Sequence, residues 1–98
     1  MKFEWDENKN RHNQERHFLH FDDAKEIFNN PTISIIDARR DYGEVRYIDI
    51  GVVEFEGFSA IITIVYTKRR DVIRIISARK ANKKERKMYN EYIKKRIT

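Results

Sequence analysis

Arg74 stands in the middle of DVIRIISA, the most apolar stretch of this chain. Arginine is almost never buried without a partner. It therefore either pairs with a carboxylate on a neighbouring strand or faces an open sheet surface, where it can hold a phosphate. Arg79 and Lys80 close the same stretch, and Lys83, Glu85, Arg86 and Tyr89 follow in a helical pattern. Arg86 and Tyr89 are three apart and so neighbours on a helix surface, although a tyrosine there can equally pack on a sheet. Upstream, Glu44 and Arg46 are two apart, which puts them on one strand face with Ile48 and Ile50. A carboxylate and a guanidinium on an accessible face can move a proton and stabilise a phosphate together. The same pair can also be a surface ion pair worth a few tenths of a kcal/mol. A regular strand predicts Val72, Arg74, Ile76 and Ala78 on one face and Ile73, Ile75 and Ser77 on the other.

His12 and His17 are five apart, which is not the i, i+4 spacing of helical metal ligands, and His20 is separate from both. With no cysteine in the chain, neither a metal site nor a thiolate nucleophile is expected, and no cofactor is expected. No glycine-rich phosphate loop and no G-x-S-x-G motif occurs, so neither NTP-dependent nor serine-hydrolase chemistry is supported. A histidine beside a basic groove could act as general acid or base.

Charge is concentrated rather than spread. Residues 68–98 hold 13 Lys+Arg against 3 Asp+Glu, while the first 67 hold 8 against 13, within a net +5. Such a patch attracts a phosphate backbone, an anionic surface or an acidic protein. No apolar run has the length of a signal-peptide core or a membrane span, so a cytoplasmic protein is expected. Ninety-eight residues predict one domain, 1–98, with a single modest core.

The elements that must position these residues follow from patterning. Residues 3–5 read as a short strand or an anchored terminus, and Asp6 as the cap of a polar helix over 7–17 that carries Lys9 and His17. A second helix is expected over 22–29, ended by Asn30-Pro31. Four strands follow, over 32–38, 44–55, 59–67 and 71–78, joined by connections short enough for antiparallel hairpins. From about Asn82 a helix sets Met88, Tyr89, Tyr92, Ile93 and Ile97 on one face. The expected fold is α+β: two N-terminal helices, a four-stranded antiparallel sheet and a C-terminal helix, with the helices on one face of the sheet.

Three separated blocks, in order, resemble the BrnT family. FEWDENKN with Asn13, Arg16-His17 and FDDAKEIF is similar to its N-terminal half, GEVRYIDIG to its E-x-R-x-x-x-x-G strand, and VIRIISARKANKKERKMY to its last signature. The family implies a RelE-like fold and a ribonuclease toxin of a type II toxin–antitoxin system. It also implies a DNA-binding antitoxin, BrnA, through which dimerisation can occur, with repression of the shared operon and slowed translation on release. Lys9, Asn13 and His17 fall on the first block, Glu44 and Arg46 on the second, and Arg74, Ser77, Arg79, Glu85, Arg86 and Tyr89 on the third. Phe18 stands where the family usually has glycine, and Tyr66-Thr67 where His-Thr is common.

The resulting expectation is metal-independent endoribonuclease chemistry, in which a 2′-hydroxyl attacks the neighbouring phosphorus. Arg46 and Arg79, then Arg74, are expected to stabilise charge. Glu44, His17 and Tyr89 compete for proton transfer. Lys9, Lys80, Lys83 and Arg86 join Arg74 in binding RNA. The alternatives are a nucleic-acid-binding module without catalysis, or an assembly protein whose basic helix docks an acidic partner.

Overall fold

Asp6 begins the first helix by accepting the Asn8 and Lys9 backbone N–H groups at 2.8 and 3.4 Å. In the computed structural model, which describes residues 1–97 without the side chain of Ile97, this helix is α1 (Glu7–His17), preceded by strand β1 (Lys2–Trp5). The place expected for Ile97 on the last helix thus lies outside the described residues. α1 ends at Phe18, whose φ of 55° is left-handed and whose N–H reaches the Gln14 carbonyl at 2.9 Å. That conformation costs a residue with a Cβ about 1–2 kcal/mol, so glycine is the usual occupant. α2 (Phe21–Ala24) passes directly into a 3-10 turn, Lys25–Asn29. The helix expected over 22–29 is therefore one α-turn that tightens, because Pro31 forbids continuation and pushes Asn30 into extended backbone.

The strands β2 (Ile33–Ile36), β3 (Tyr47–Phe55), β4 (Phe58–Arg69) and β5 (Val72–Lys80) precede α3 (Lys83–Ile97). The sheet has five strands in the order β1-β5-β4-β3-β2, and it is mixed, not the four-stranded antiparallel sheet expected. The added strand is β1, which runs parallel to β5 with Lys2 opposite Val72 and Trp5 opposite Ile75. Four residues with alternating Phe3 and Trp5 suffice for a strand, but nothing local points to a partner so far along the chain. The three hairpin pairings among β2 to β5 are antiparallel as expected. Gly57, at φ +87°, makes the tight β3–β4 turn.

A β-bulge in the β4–β5 ladder, between Val65 and Tyr66, corrects the expected face assignment. Arg74 lies opposite Thr67, Ser77 opposite Val65 and Arg79 opposite Thr63, with Ile76 the extra residue. One extra residue reverses the alternation beyond it. Arg74, Ser77 and Arg79 therefore share a face, while Ile73, Ile75 and Ala78 share the other. The latter face joins Val53, Ile62, Ile64 and Tyr66 in packing against Leu19, Phe21, Ala24 and Ile27, which forms the main core. The helices do not all lie on one face. Ile50 and Thr63 are buried on the opposite side, where α3 brings Glu85 to Arg79 and buries Tyr89.

Candidate functional site

On the face carrying Arg74, one row of the sheet concentrates the polar chemistry. Glu4 sits opposite Arg74 on one side and Thr67 on the other. Arg74 Nη1 donates to Glu4 Oε2 at 2.9 Å, and both side chains remain part-exposed. The β3–β4 ladder ends with Tyr47 opposite Tyr66, so Arg46 and Thr67 each directly adjoin that last pair. Thr67 is 1% exposed and its hydroxyl has no hydrogen-bond partner; the Arg46 Nε is likewise buried and unpartnered. Unsatisfied buried polar atoms cost about 1–3 kcal/mol each. Both atoms lie below the accessible surface, as does the equally unpartnered Thr63 hydroxyl, so this face offers a ligand the part-exposed Arg46 and Arg74 side chains.

The loop before β3 holds Arg46 in place. The expected strand over 44–55 starts only at Tyr47, so Glu44 and Arg46 lie on this loop. The Asp37 N–H donates to the Arg46 carbonyl at 2.8 Å. The Asp37 carboxylate accepts from Arg39 Nε and Nη2, both at 2.8 Å, and from the Tyr42 hydroxyl at 3.2 Å. The Arg39 hydrogen bonds, opposed by burial, hold the Asp37 carboxyl far below the usual carboxylate range. The Tyr42 ring then supports the Arg46 guanidinium, 3.9 Å from its centroid, and lies 5.0 Å from that of Arg40. Glu44 is exposed and pairs loosely with Arg69 at 3.8 Å. Sequence reading missed Asp37, Arg39, Arg40 and Tyr42. The available signal was a loop with Asp37 two residues before Arg39, a spacing at which an Asp side chain bonds its own backbone.

A second feature adjoins this row along β5. Beyond β1, the outer edge of β5 is closed by α1 rather than by a strand. Asn13 accepts the Ala78 N–H at 3.0 Å and donates to the Leu19 carbonyl at 2.9 Å, which satisfies backbone that would otherwise lie bare. Between α1 and β5 lies a groove of about 190 Å³ lined by Lys9, His12, Arg16, His17, Ile76 and Ser77. Ser77, one of its lining residues, also belongs to the Arg74 face.

The remaining expected site residues have other partners. Arg79 makes two hydrogen bonds to the Glu85 carboxylate, at 2.7 and 2.8 Å. Glu85 also accepts the Asn82 N–H while Asn82 Oδ1 accepts the Glu85 N–H, a reciprocal cap that starts α3. Burial pushes the Glu85 carboxyl up, but Arg79 and the Asn82 N–H outweigh it and leave it below its ordinary value. Arg86 Nη1 donates to the Ala81 carbonyl at 2.8 Å, and the Tyr89 hydroxyl to the Pro31 carbonyl at 2.9 Å. Burial raises the Tyr89 phenol. These residues dock α3, while Lys80 and Lys83 are exposed around its start. Among the described residues no three His, Asp or Glu side chains gather as a metal-ligand set, and no helix is long and apolar enough to cross a membrane.

A family model described as the ribonuclease toxin BrnT of type II toxin–antitoxin systems matches residues 5–85. The chain belongs to the BrnT family. No curated protein matches it. Membership in BrnT makes RNA the substrate class and an antitoxin the partner. The matched segment includes Lys9, His17, Arg46, Thr67, Arg74, Ser77 and Arg79, and it leaves Arg86 and Tyr89 outside.

Proposed function

We propose that this BrnT chain is a metal-independent endoribonuclease of the cytoplasm that inhibits translation by cutting RNA, and that a BrnA-like antitoxin restrains it. One observation supports this location: Arg74 is part-exposed on the face that carries Ser77, and it lies opposite Thr67, next to the point where the β3–β4 ladder ends one residue short of Arg46. A scissile phosphate bound there would meet the part-exposed guanidinium groups of Arg46 and Arg74. As the RNA 2′-oxygen bonds to phosphorus, negative charge grows on the non-bridging oxygens. Fixed cations help most at that stage. The bond to the 5′-oxygen then breaks, giving a 2′,3′-cyclic phosphate and a 5′-hydroxyl.

A base must take the 2′-proton and an acid must supply one to the leaving oxygen. His17 is the favoured proton-transfer group because it lines the groove that reaches Ser77, and an imidazole can both take and give a proton near neutral pH. Glu44 is second, exposed at the Arg46 end. Tyr89 is last, since its hydroxyl is committed to Pro31. Arg79 is assigned to holding α3 through Glu85, and Lys9 to guiding the RNA strand along the groove.

Purified protein incubated with RNA, with and without EDTA, tests this reading. Discrete products ending in cyclic phosphate, unchanged by EDTA, are expected. A salt-sensitive gel shift without products would make the chain a binder instead.

A further inference from the structure

At the end of the sheet away from Arg46, the surface changes character. Phe18 is 88% exposed and Phe58, at the β3–β4 turn, is 60% exposed. Phe58 stacks on Phe55 with ring centroids 5.0 Å apart. With Leu19, Ile62 and Lys80 these rings line an apolar groove of about 260 Å³. A second groove, of about 320 Å³, shares Ala60 and Lys80 with the first and adds Arg86. The two grooves thus meet at Ala60 and Lys80, an apolar slot bordered by the cations Lys80 and Arg86. Neither feature belongs to the arginine row, which lies roughly 20 Å away along β4 at about 3.3 Å per residue.

Phe18 gives this slot its meaning. A left-handed position would take glycine without strain, yet here it carries a large apolar side chain held almost wholly in water. Ending α1 accounts for the conformation, but the cap needs no side chain there, and nothing in the fold covers the ring. We propose that this slot anchors the antitoxin through an acidic segment that inserts one large apolar side chain between Phe18 and Phe58 and lays carboxylates against Lys80 and Arg86. The proposal deepens the reading above, since it rests on the antitoxin that BrnT membership implies. The lining favours a protein side chain over an RNA base. Around Phe18 and Phe58 the walls are Leu19, Phe55, Ala60 and Ile62 with Lys80 the one polar side chain, whereas base recognition on aromatic residues adds polar contacts to the base edges.

The slot lies apart from the arginine row, and although Phe18 directly follows His17, Phe58 is remote from both, so Phe58→Ser separates anchor from chemistry and Phe18→Gly is read against it. Phe18→Gly relieves the left-handed backbone while removing the ring, and Phe58→Ser removes a largely exposed one. Each variant would be assayed for RNA cleavage and, by titration calorimetry, for binding the purified cognate antitoxin. Truncating an aromatic anchor is expected to weaken antitoxin binding at least tenfold, with RNA cleavage and melting temperature at wild-type values or, for Phe18→Gly, a higher melting temperature. Unchanged antitoxin affinity in both variants would overturn the proposal. So would loss of RNA cleavage with intact antitoxin binding, which would give the slot to RNA. Self-association of the wild-type chain that Phe58→Ser abolishes, without effect on the antitoxin, would give it to a second copy. If the wild type cleaves no RNA but binds antitoxin through these rings, the anchor stands and the catalytic reading falls.

Discussion

Arg46, Arg74 and Arg79 are the same residue type in three different situations. Arg46 rests on Tyr42 with a buried, unsatisfied Nε; Arg74 keeps part of its guanidinium exposed beside Glu4; Arg79 is doubly bonded to Glu85. Arg46→Ala and Arg74→Ala are expected to lower single-turnover RNA cleavage by about 10²–10³-fold, as removal of a transition-state donor does, with circular dichroism unchanged. His17→Gln should cost about 10²–10⁴-fold and remove one limb of the pH–rate profile. A His17→Gln enzyme with wild-type kcat and profile would take His17 out of the chemistry. Arg79→Ala should act on stability instead, because it leaves a largely buried carboxylate without its guanidinium. The expected loss is about 1–2 kcal/mol in urea unfolding.

The hairpins of β2 to β5 were legible because Gly57 and the alternation of apolar residues mark them locally. The parallel pairing of β1 was not, since its partner is specified by tertiary packing and not by a turn. The bulge at Ile76 also escaped, because alternation reads DVIRIISA as regular and so places Ser77 opposite in sense to Arg74. The basic residues were visible as a class, but their division into phosphate-facing and helix-docking sets depends on which carboxylate each meets in space. Glu4 and Glu85 could not be assigned as those partners from spacing. Asn13 is the clearest case of an element held by one side chain. It bridges the α1–α2 connection and the open edge of β5, and Asn13→Ala strands both a carbonyl and an N–H. A destabilisation of about 2–3 kcal/mol is expected, visible as a melting temperature lower by roughly 10 °C or more. A shift under 2 °C would show that water or a neighbour replaces the amide.

Two properties belong to the molecule as a whole. With Arg46, Arg74, Lys9 and Arg16 each meeting a phosphate, the logarithm of RNA affinity should fall with log salt at a slope of about −3. A slope near zero would rule out binding through these cations. Acid should also unfold the protein. Asp37 and Glu85 both titrate below their ordinary values of 3.8 and 4.5 when folded. Their stabilisation is therefore complete above those values and is lost as the pH falls through the lower, folded ones. Urea midpoints should hold near neutrality and decline below about pH 4.5, less steeply in Glu85→Gln. The parallel strand at the start of the chain has a further effect on timing. Glu4 and Arg74 meet across 70 residues of sequence, so while the polypeptide is being made its first strand has nothing to bind. The proposed active row then cannot come together until β5 has been synthesised, so a chain still short of that strand would carry no assembled site.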